Sequence, residues 1–370
     1  MSFRFASAFI TLGLSFPLCT GTLFAAAKGQ RSLARAPDSL PASADASAAG
    51  ALAWTNPLVP QRADPHVMRH SDGYYYLAAT VPAYDRIELR RARTLAGLST
   101  AEPTVIWRKH ARGPMSAHIW APEIHFIDGK WYLYFSASDI GDLWGALRPY
   151  VLEGEGANPL EAAWIEKGQM KLGWESFSLD ATTFEHRGAR YYVWTQIEPD
   201  VKGTNLYIAR MDTPWSITGK ITKLAQPDQD WEKRGHWVCE APAVLIKNGR
   251  VWMTYSASAT DASYCLGLLS ADANADLLDA SAWRKSPLPV LSSYLPASQF
   301  GPGHNSFTTT PDGKTDILVY HARNYDLIRG NPLRNPDRAT RAQAIRWRPD
   351  GSPDFGAPVP DGPYLVPARH

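Results

Sequence analysis

Residues 120–135, WAPEIHFIDGKWYLYF, join an apolar segment to a second segment rich in aromatic residues through an Asp-Gly turn. Asp-Gly or Asn-Gly between two apolar segments is a strong signal for a tight β-hairpin. Four other segments share this design, namely DPHVMRHSDGYYYLAA (64–79), DATTFEHRGARYYVW (180–194), EAPAVLIKNGRVWMTY (240–255) and HNSFTTTPDGKTDILVY (304–320). The chain therefore contains five copies of one hairpin.

The hairpins recur at a regular spacing. Their turn glycines, at positions 73, 129, 188, 249 and 313, are 56, 59, 61 and 64 residues apart. Such a period matches a four-stranded sheet with its loops and is typical of a propeller blade. We therefore predict an all-β fold, a five-bladed β-propeller, with a β-sandwich of irregular hairpins as the alternative. The third strands are predicted at 86–92, 147–152, 205–210, 263–269 and 341–347.

The composition restricts both domain number and function. At about 150 residues per domain, a chain of 370 residues would form two or three domains, but the repeat indicates one. A net charge of +2, with 38 basic and 36 acidic residues, excludes electrostatic nucleic-acid binding as the main role. The 14 Trp and 16 Tyr residues suit sugar binding, although a β-rich core also uses such residues.

The N-terminus predicts export. Residues 1–27 have one charge, a long apolar run and a final Ala-Ala-Ala, as in a secretory signal peptide. An uncleaved membrane anchor is the alternative, because the run approaches the length of a bilayer span. Residues 28–50 are predicted to form a flexible leader rich in Ala and Ser, and residues 51–370 the propeller domain. We expect a periplasmic or extracellular protein, free of the membrane after cleavage.

Five side chains are predicted to converge on the central channel. The first strand of each blade lines the channel, so residues about nine positions before each turn glycine meet there. These residues are Asp64, Trp120, Asp180, Glu240 and His304. Each has an ordinary structural explanation by itself, for example a turn residue or a core histidine. Three carboxylates held close together are destabilising, however, and their convergence favours a catalytic role.

The chemistry that fits is hydrolysis of a glycosidic bond. One carboxylic acid protonates the leaving oxygen, while a carboxylate on the other side activates water or attacks the sugar. A third carboxylate can tune the pKa of the acid. A glycan-binding propeller without catalysis is the alternative from another class, and we would expect it to lack one of the three acids.

The motifs around these acids resemble glycoside hydrolase family 43, from about Trp54 to the C-terminus. Segments 63–67 (ADPHV), 178–181 (SLDA) and 239–242 (CEAP) are similar to the strands that carry the family's catalytic groups. The resemblance implies inversion at the anomeric carbon, with Asp64 as general base, Asp180 as pKa modulator and Glu240 as general acid. The two catalytic carboxyl groups of an inverting enzyme lie about 6.5–9.5 Å apart.

Within this family, segments 84–91, 118–125 and 301–306 look most like the α-L-arabinofuranosidases. The similarity implies that Trp120 borders the sugar, that Arg323 reaches the site from blade five, and that His304 lies near the channel axis, where relatives hold an ion or water. The similarity implies that no cofactor is required. A structural Ca²⁺ in the channel is compatible with the similarity, but one histidine by itself does not make a metal site.

The expected substrate is an arabinose-containing plant polysaccharide or oligosaccharide, such as arabinan or arabinoxylan, cleaved from its end. A β-xylosidase or an endo-arabinanase of the same family is the alternative. No nucleic acid or membrane partner is expected, and the sequence leaves the oligomeric state open.

Two further predictions concern cysteines and arginines. If Cys239 and Cys265 begin the first and third strands of blade four, those strands are two spacings apart, about 9.5 Å. A disulfide needs Cα atoms within about 7 Å, so both thiols should be free.

The basic runs 86–93 and 338–348 are interpreted as solvated faces of outer strands.

Overall fold

The protein is a five-bladed β-propeller, as predicted. The computed structural model describes residues 53–367; the predicted signal peptide and leader lie outside these residues. Each blade is an antiparallel meander whose strands follow one another in chain order. The first strands of the blades contact one another in a closed ring, blade 1 to blade 5 and back to blade 1, and therefore surround the central channel.

The strands of the five blades have the following bounds. Blade 1 consists of Ala63–Arg69, Tyr75–Thr80, Arg86–Ala92 and Thr104–Arg108; blade 2 of Ala117–Ile127, Lys130–Ser138, Arg148–Glu155 and Ala163–Gln169; blade 3 of Ser178–His186, Ala189–Gln196, Asn205–Thr213 and Ser216–Ala225; blade 4 of Cys239–Lys247, Arg250–Ala257, Cys265–Asp272 and Arg284–Lys285; and blade 5 of Phe300–Thr309, Asp316–Arg323 and Ala339–Ala344.

A few short elements complete the fold. Two small strand pairs join Ala53–Asn56 to Gly362–Leu365 and Arg346–Trp347 to Pro353–Asp354. One α-helix spans Leu95–Thr100, and single 3₁₀ turns cover Asp230–Glu232, Ala280–Ala282, Leu295–Ala297 and Pro332–Arg334. Among residues 53–367, no helix has the length and apolar character needed to span a membrane.

The repeated aromatic positions build the contacts between blades. Each pair of neighbouring blades encloses its own apolar core, for example Trp131 and Leu133 of blade 2 against Tyr76 and Leu89 of blade 1. Between blades 2 and 3 the core includes Tyr134. Most of the aromatic excess in the sequence is therefore structural, because it fills these five interfaces.

The N-terminal segment closes the ring at blade 5. Val59 and Thr340 exchange backbone hydrogen bonds beside the third strand of that blade. The Trp54 indole donates to the Ala342 carbonyl (3.0 Å), and the Asn56 side chain donates to the same carbonyl (2.9 Å) and accepts from the Ala342 N–H (2.9 Å). Residues 54–59 thus lie beside the third, outermost strand of blade 5 and lead directly into the inner strand of blade 1, which ties blade 5 to blade 1.

The cysteine prediction is confirmed. Cys239 and Cys265 are free and buried. Both are in register with Ala257, on opposite sides of the middle strand. They are therefore two strand spacings apart, which is too far for a disulfide.

The prediction for the second basic run was wrong at two residues. Arg338 and Arg341 are 6% and 1% exposed, whereas the run was interpreted as a solvated face. Arg341 forms an ion pair with Asp361, and Arg338 forms one with Asp64. Charge patterning could not reveal these partners, because the partner of Arg338 is 274 residues away and the partner of Arg341 is 20 residues away.

We expect Trp54→Ala to destabilise the protein by about 3–5 kcal/mol, the usual cost of removing a buried large aromatic side chain. Trp54 is 4% exposed, and its loss also removes the hydrogen bond to blade 5. Urea unfolding measures the change. Leu327→Ala, at a side chain 78% exposed, is the control and should change stability by about 0.5 kcal/mol or less. Equal midpoints for the two variants would contradict closure through this segment.

Candidate active site

One cavity at the channel mouth brings together all five predicted channel residues. It has a volume of about 770 Å³, within the usual range of ligand sites. Its walls include the five residues Asp64, Trp120, Asp180, Glu240 and His304. The structure thus places side chains from five distant positions around one space.

Backbone irregularities direct these side chains into the channel. Every inner strand contains a β-bulge, where its register with the second strand shifts. At each bulge a non-glycine residue has a left-handed φ between +41° and +54°, and these residues are Asp64, Ala121, Asp180, Ala241 and His304. Such conformations cost on the order of 1–3 kcal/mol each and are typical of functional sites.

Hydrogen bonds from the preceding blade support four of these bulges. The backbone N–H groups of Ala121, Asp180, His304 and Asp64 donate to Thr80 Oγ1 (2.7 Å), Ser136 Oγ (3.0 Å), Ser256 Oγ (2.7 Å) and His321 Nδ1 (3.0 Å), respectively. All four acceptors are buried near the end of a second strand. The blade interfaces thereby hold the site's backbone in place.

Asp64 is held in its ionised form. Its carboxylate is 7% exposed and lies 3.1 Å from Arg338 Nη1. Burial alone would raise the pKa of Asp64, but the Arg338 charge, together with interactions with His304 and His321, outweighs it and holds the pKa well below its usual value. Asp64 is therefore a carboxylate at neutral pH, suited to accept a proton or orient water.

Glu240 has the opposite environment. Its Oε1 accepts a hydrogen bond from the Tyr264 hydroxyl (2.7 Å), and no cation among the described residues forms an ion pair with it. Burial raises the pKa of Glu240 to about 7, and the negative charge of Asp64 adds to this effect. A substantial fraction of Glu240 is therefore protonated near neutral pH and can donate a proton.

Asp180 and His304 line the same cavity as Asp64 and Glu240. His304 Nδ1 is 3.3 Å from Asp64 Oδ1 and 3.7 Å from Asp180 Oδ2. Burial, together with the charges of Glu240 and Asp64, raises the pKa of Asp180 well above its usual value. Burial lowers the pKa of His304, so this imidazole is neutral, and its Nδ1 lies nearer to Asp64 than to Asp180.

Trp120 forms part of the cavity wall and is 8% exposed. Its ring stacks on His118, with centroids 4.2 Å apart, and meets Tyr84 edge-on at 5.4 Å. Its indole N–H has no hydrogen-bond partner in the part of the chain that the structure describes. A buried donor without a partner is costly and suits a polar group of a ligand.

Arg323, expected to reach the site, is placed elsewhere. Its guanidinium donates to Asn335 Oδ1 (2.9 Å) and to the carbonyls of Thr260 and Pro332 (2.8 Å each), and it does not line the cavity. Arg338, on the same blade, occupies the cavity wall instead. Arg323 thus supports the loop above the site rather than the site itself.

Sequence reasoning missed three buried residues of the site, Arg338, Tyr264 and His321. Tyr264 and Arg338 each immediately precede a third strand, as the predicted acids begin first strands. His321 follows its turn glycine by eight residues, where Thr80 and Ser136 follow theirs by seven. Applying the repeat to the second and third strands would have found all three.

A second polar cluster lies near the site in the channel. His66, Glu123 and His125 offer ligand atoms within 4.8 Å of one another. His66 Nδ1 accepts the Ile124 N–H (3.3 Å), so its Nε2 carries the proton and faces Glu123. Two imidazoles and one carboxylate do not fit Ca²⁺, which takes six to eight oxygen ligands.

The fold and site define a glycoside hydrolase. Two carboxyl groups in one buried cavity, one kept ionised and the other able to donate a proton near neutral pH, are the groups that glycosidic bond hydrolysis requires.

More specifically, the chain belongs to glycosyl hydrolases family 43, whose family model matches residues 54–353. The chain is 57% identical over 330 residues to an extracellular exo-α-(1→5)-L-arabinofuranosidase from Streptomyces avermitilis, covering 89% of this chain and 68% of the relative. It is 52% identical over 326 residues to α-L-arabinofuranosidase 43 from Humicola insolens, covering 88% of this chain and 67% of that one.

A solved structure is similar throughout the propeller. The crystal structure of an α-L-arabinofuranosidase from Lactobacillus brevis matches with a TM-score of 0.81 and 50% identity, covering 83% of this chain and 98% of that chain. The resemblance to this family, drawn above from sequence motifs, is confirmed.

We expect Arg338→Met to raise the pKa of Asp64, because the guanidinium that stabilises its ionised form is removed while the burial remains. Carboxyl ¹³C NMR titration measures this pKa. Arg346→Met, at an arginine whose side chain is 68% exposed and pairs with Asp354, is the matched control and should leave the Asp64 pKa unchanged. An unchanged pKa in Arg338→Met would contradict this account of the Asp64 environment.

Proposed function

We propose that the protein is an exported, exo-acting α-L-arabinofuranosidase that inverts the anomeric carbon. It removes terminal arabinofuranosyl residues from arabinan, arabino-oligosaccharides or arabinoxylan. Asp64 is the general base, Glu240 the general acid and Asp180 the pKa modulator. Relatives at 57% and 52% identity that are named α-L-arabinofuranosidases support the substrate class.

The assignment of the catalytic roles rests on one observation, namely that the two carboxyl groups have different hydrogen-bond partners. Asp64 is bound by a guanidinium at 3.1 Å, whereas Glu240 is bound by a neutral phenol at 2.7 Å. A cation stabilises the ionised form, as a base requires, and a buried site without a cation keeps an acid protonated. The surroundings of the two residues therefore make Asp64 the base and Glu240 the acid.

The reaction follows from this division. Asp64 accepts a proton from a water molecule that attacks the anomeric carbon, while Glu240 gives its proton to the departing oxygen. The negative charge of Asp180 raises the proton affinity of Glu240 whenever Asp180 is ionised. His304 Nδ1, 3.3 Å from Asp64 Oδ1 and 3.7 Å from Asp180 Oδ2, is a polar neighbour of both carboxyl groups.

Two unpaired donors in the cavity wall support sugar binding. Trp120 Nε1 and Arg338 Nε are buried and have no hydrogen-bond partner among the described residues. A pentosyl unit presents several hydroxyl oxygens that can accept such bonds, so a bound sugar would remove the cost of leaving these donors unsatisfied.

Exo action has support from one edge of the cavity. The Tyr84 hydroxyl donates to the Leu333 carbonyl, which joins blade 1 to the loop of blade 5. Asn331, Pro332 and Leu333 line the cavity there. A wall on this side favours a pocket that accepts a chain end over an open groove. Export has support from two relatives named extracellular.

We expect the enzyme to hydrolyse aryl α-L-arabinofuranoside and to release β-arabinose first, because water attacks the face opposite the leaving group. Proton NMR of the product anomer during early turnover measures this result. An aryl β-D-xyloside is the comparison substrate and should react much more slowly. Initial release of the α-anomer would rule out Asp64 as a base that acts through water.

We expect Glu240→Gln to lower kcat/KM on arabino-oligosaccharides by about 10²- to 10⁴-fold, the usual contribution of a general acid. Activity on a dinitrophenyl arabinofuranoside should largely remain, because this leaving group needs no proton. In the wild type, kcat/KM on oligosaccharides should fall as the pH rises through about 7, where Glu240 loses its proton.

Glu185→Gln, at a glutamate whose side chain is 62% exposed, is the control for this substitution and should retain both activities. Wild-type rates of Glu240→Gln on oligosaccharides would show that another group supplies the proton. Equal losses on both substrates would indicate a general structural effect instead of acid catalysis.

A further inference from the structure

The two carboxyl oxygens of Glu240 have different surroundings. Glu240 Oε1 accepts a hydrogen bond from the Tyr264 hydroxyl (2.7 Å). Glu240 Oε2 has no hydrogen-bond partner among the residues that the structure describes, although Glu240 lines the cavity. One oxygen is therefore bound to the protein, and the other is available to a ligand in the cavity.

The phenol of Tyr264 keeps its proton. Tyr264 is 1% exposed, and its burial, together with the negative charges of Glu240 and Asp180, raises its pKa well above the usual value. A neutral phenol can donate to a carboxyl oxygen at every pH near neutrality. The hydroxyl of Tyr264 is therefore a constant donor to Oε1 of Glu240, whether Glu240 is ionised or protonated.

Two glycines allow the Tyr264 ring to reach this position. A Cβ atom at Gly303 would overlap the Tyr264 ring. Gly301 has a φ of +59°, and a Cβ atom there would overlap the carbonyl oxygen of Asp261, which accepts the Tyr264 N–H (3.2 Å). Only glycine permits such a close approach without a shift of the neighbour. The backbone of blade 5 thus fixes both the turn before Tyr264 and its ring.

The same ring also packs beside the residue that binds the Asp64 backbone. The ring of His321 is parallel to the Tyr264 ring within 1°, with centroids 5.7 Å apart. His321 Nδ1 accepts the backbone N–H of Asp64 (3.0 Å). Tyr264 therefore contacts Glu240 through its hydroxyl and the support of Asp64 through its ring, so buried side chains connect the two carboxyl groups.

We propose that Tyr264 positions the general acid, because it binds Oε1 of Glu240 and leaves the proton that is transferred on Oε2, facing the cavity. In the reaction the Oε2–H bond breaks, the departing oxygen keeps the electron pair of its bond to the anomeric carbon and takes the proton, and Glu240 becomes a carboxylate. The phenol binds this carboxylate more strongly than the neutral acid, so Tyr264 also assists the transfer. This inference rests on the proposed function, in which Glu240 is the acid.

Other charged or titratable groups also surround Glu240. They are Asp64 of blade 1, Asp180 of blade 3, His304 and Arg338 of blade 5, and Lys202, His236 and Asp261 in the loops of the cavity wall. Burial raises the pKa of Glu240, the hydrogen bond from Tyr264 lowers it, the charge of Asp64 raises it and that of Arg338 lowers it. Removing only the phenol hydroxyl leaves all the other groups in place.

Tyr264→Phe removes this hydroxyl and keeps the ring. We expect the pKa of Glu240 to rise by about one unit, because its carboxylate loses a donor. Carboxyl ¹³C NMR titration measures this pKa. The alkaline fall of kcat/KM on α-1,5-arabinobiose should move to higher pH by the same amount. Below this fall, kcat/KM on arabinobiose should drop about tenfold, because the acid is less well oriented. Activity on a dinitrophenyl arabinofuranoside, whose leaving group needs no proton, should remain close to that of the wild type.

Tyr75→Phe is the matched control, because Tyr75 is buried, its hydroxyl donates to the Thr309 carbonyl (2.6 Å), and it lies outside the cavity lining. It should keep the wild-type pKa of Glu240 and both activities. An unchanged or lowered Glu240 pKa in Tyr264→Phe, or an equal loss on both substrates, would overturn the role of Tyr264. Failure of the wild-type enzyme to cleave either substrate would instead contradict the proposed function, while the NMR titration would still decide whether the phenol stabilises the Glu240 carboxylate.

Discussion

The site depends on the way in which five inner strands are bent at the channel. Each strand bulges at one residue with a left-handed backbone, and four of the bulges are bound by the preceding blade. Hydrogen bonds across the blade interfaces offset the conformational cost of these residues, because the side chains that accept the bonds are buried at those interfaces. An isolated blade would lack the hydrogen bonds that stabilise its bulge. The geometry of the site therefore depends on the closed ring.

Closure also explains how three carboxyl groups can share one cavity. Their mutual repulsion is partly relieved by one buried guanidinium, that of Arg338, and by the neutral imidazole of His304. The cation lies beside Asp64 and not beside Glu240. This asymmetry separates the pKa values of two similar side chains and gives them different chemical roles. Adding a second cation beside Glu240 would stabilise the cluster but would remove its ability to donate a proton.

Much of this site could be predicted from the repeat. Asp64, Asp180 and Glu240 were found because they occupy equivalent positions before a turn glycine, and an internal repeat makes equivalent positions meet. The free cysteines followed from strand spacing. Arg323 and Arg338 were harder to distinguish, because both lie at strand ends of blade 5. Which guanidinium points into the cavity depends on the hydrogen-bond acceptors around each arginine. Asn335, Thr260 and Pro332 bind the Arg323 guanidinium in the loop.

The fold class, the number of blades and the acids of the channel could be deduced from the order of the residues. This was possible because turn chemistry and apolar alternation act over a few residues and are repeated five times. How the ring closes and which arginine faces Asp64 became clear only in the folded molecule. Each of these depends on a contact between distant segments, namely Trp54 with Ala342 and Asp64 with Arg338. Local patterns carry no information about such contacts, because the energy of each arises only after the blades have packed together.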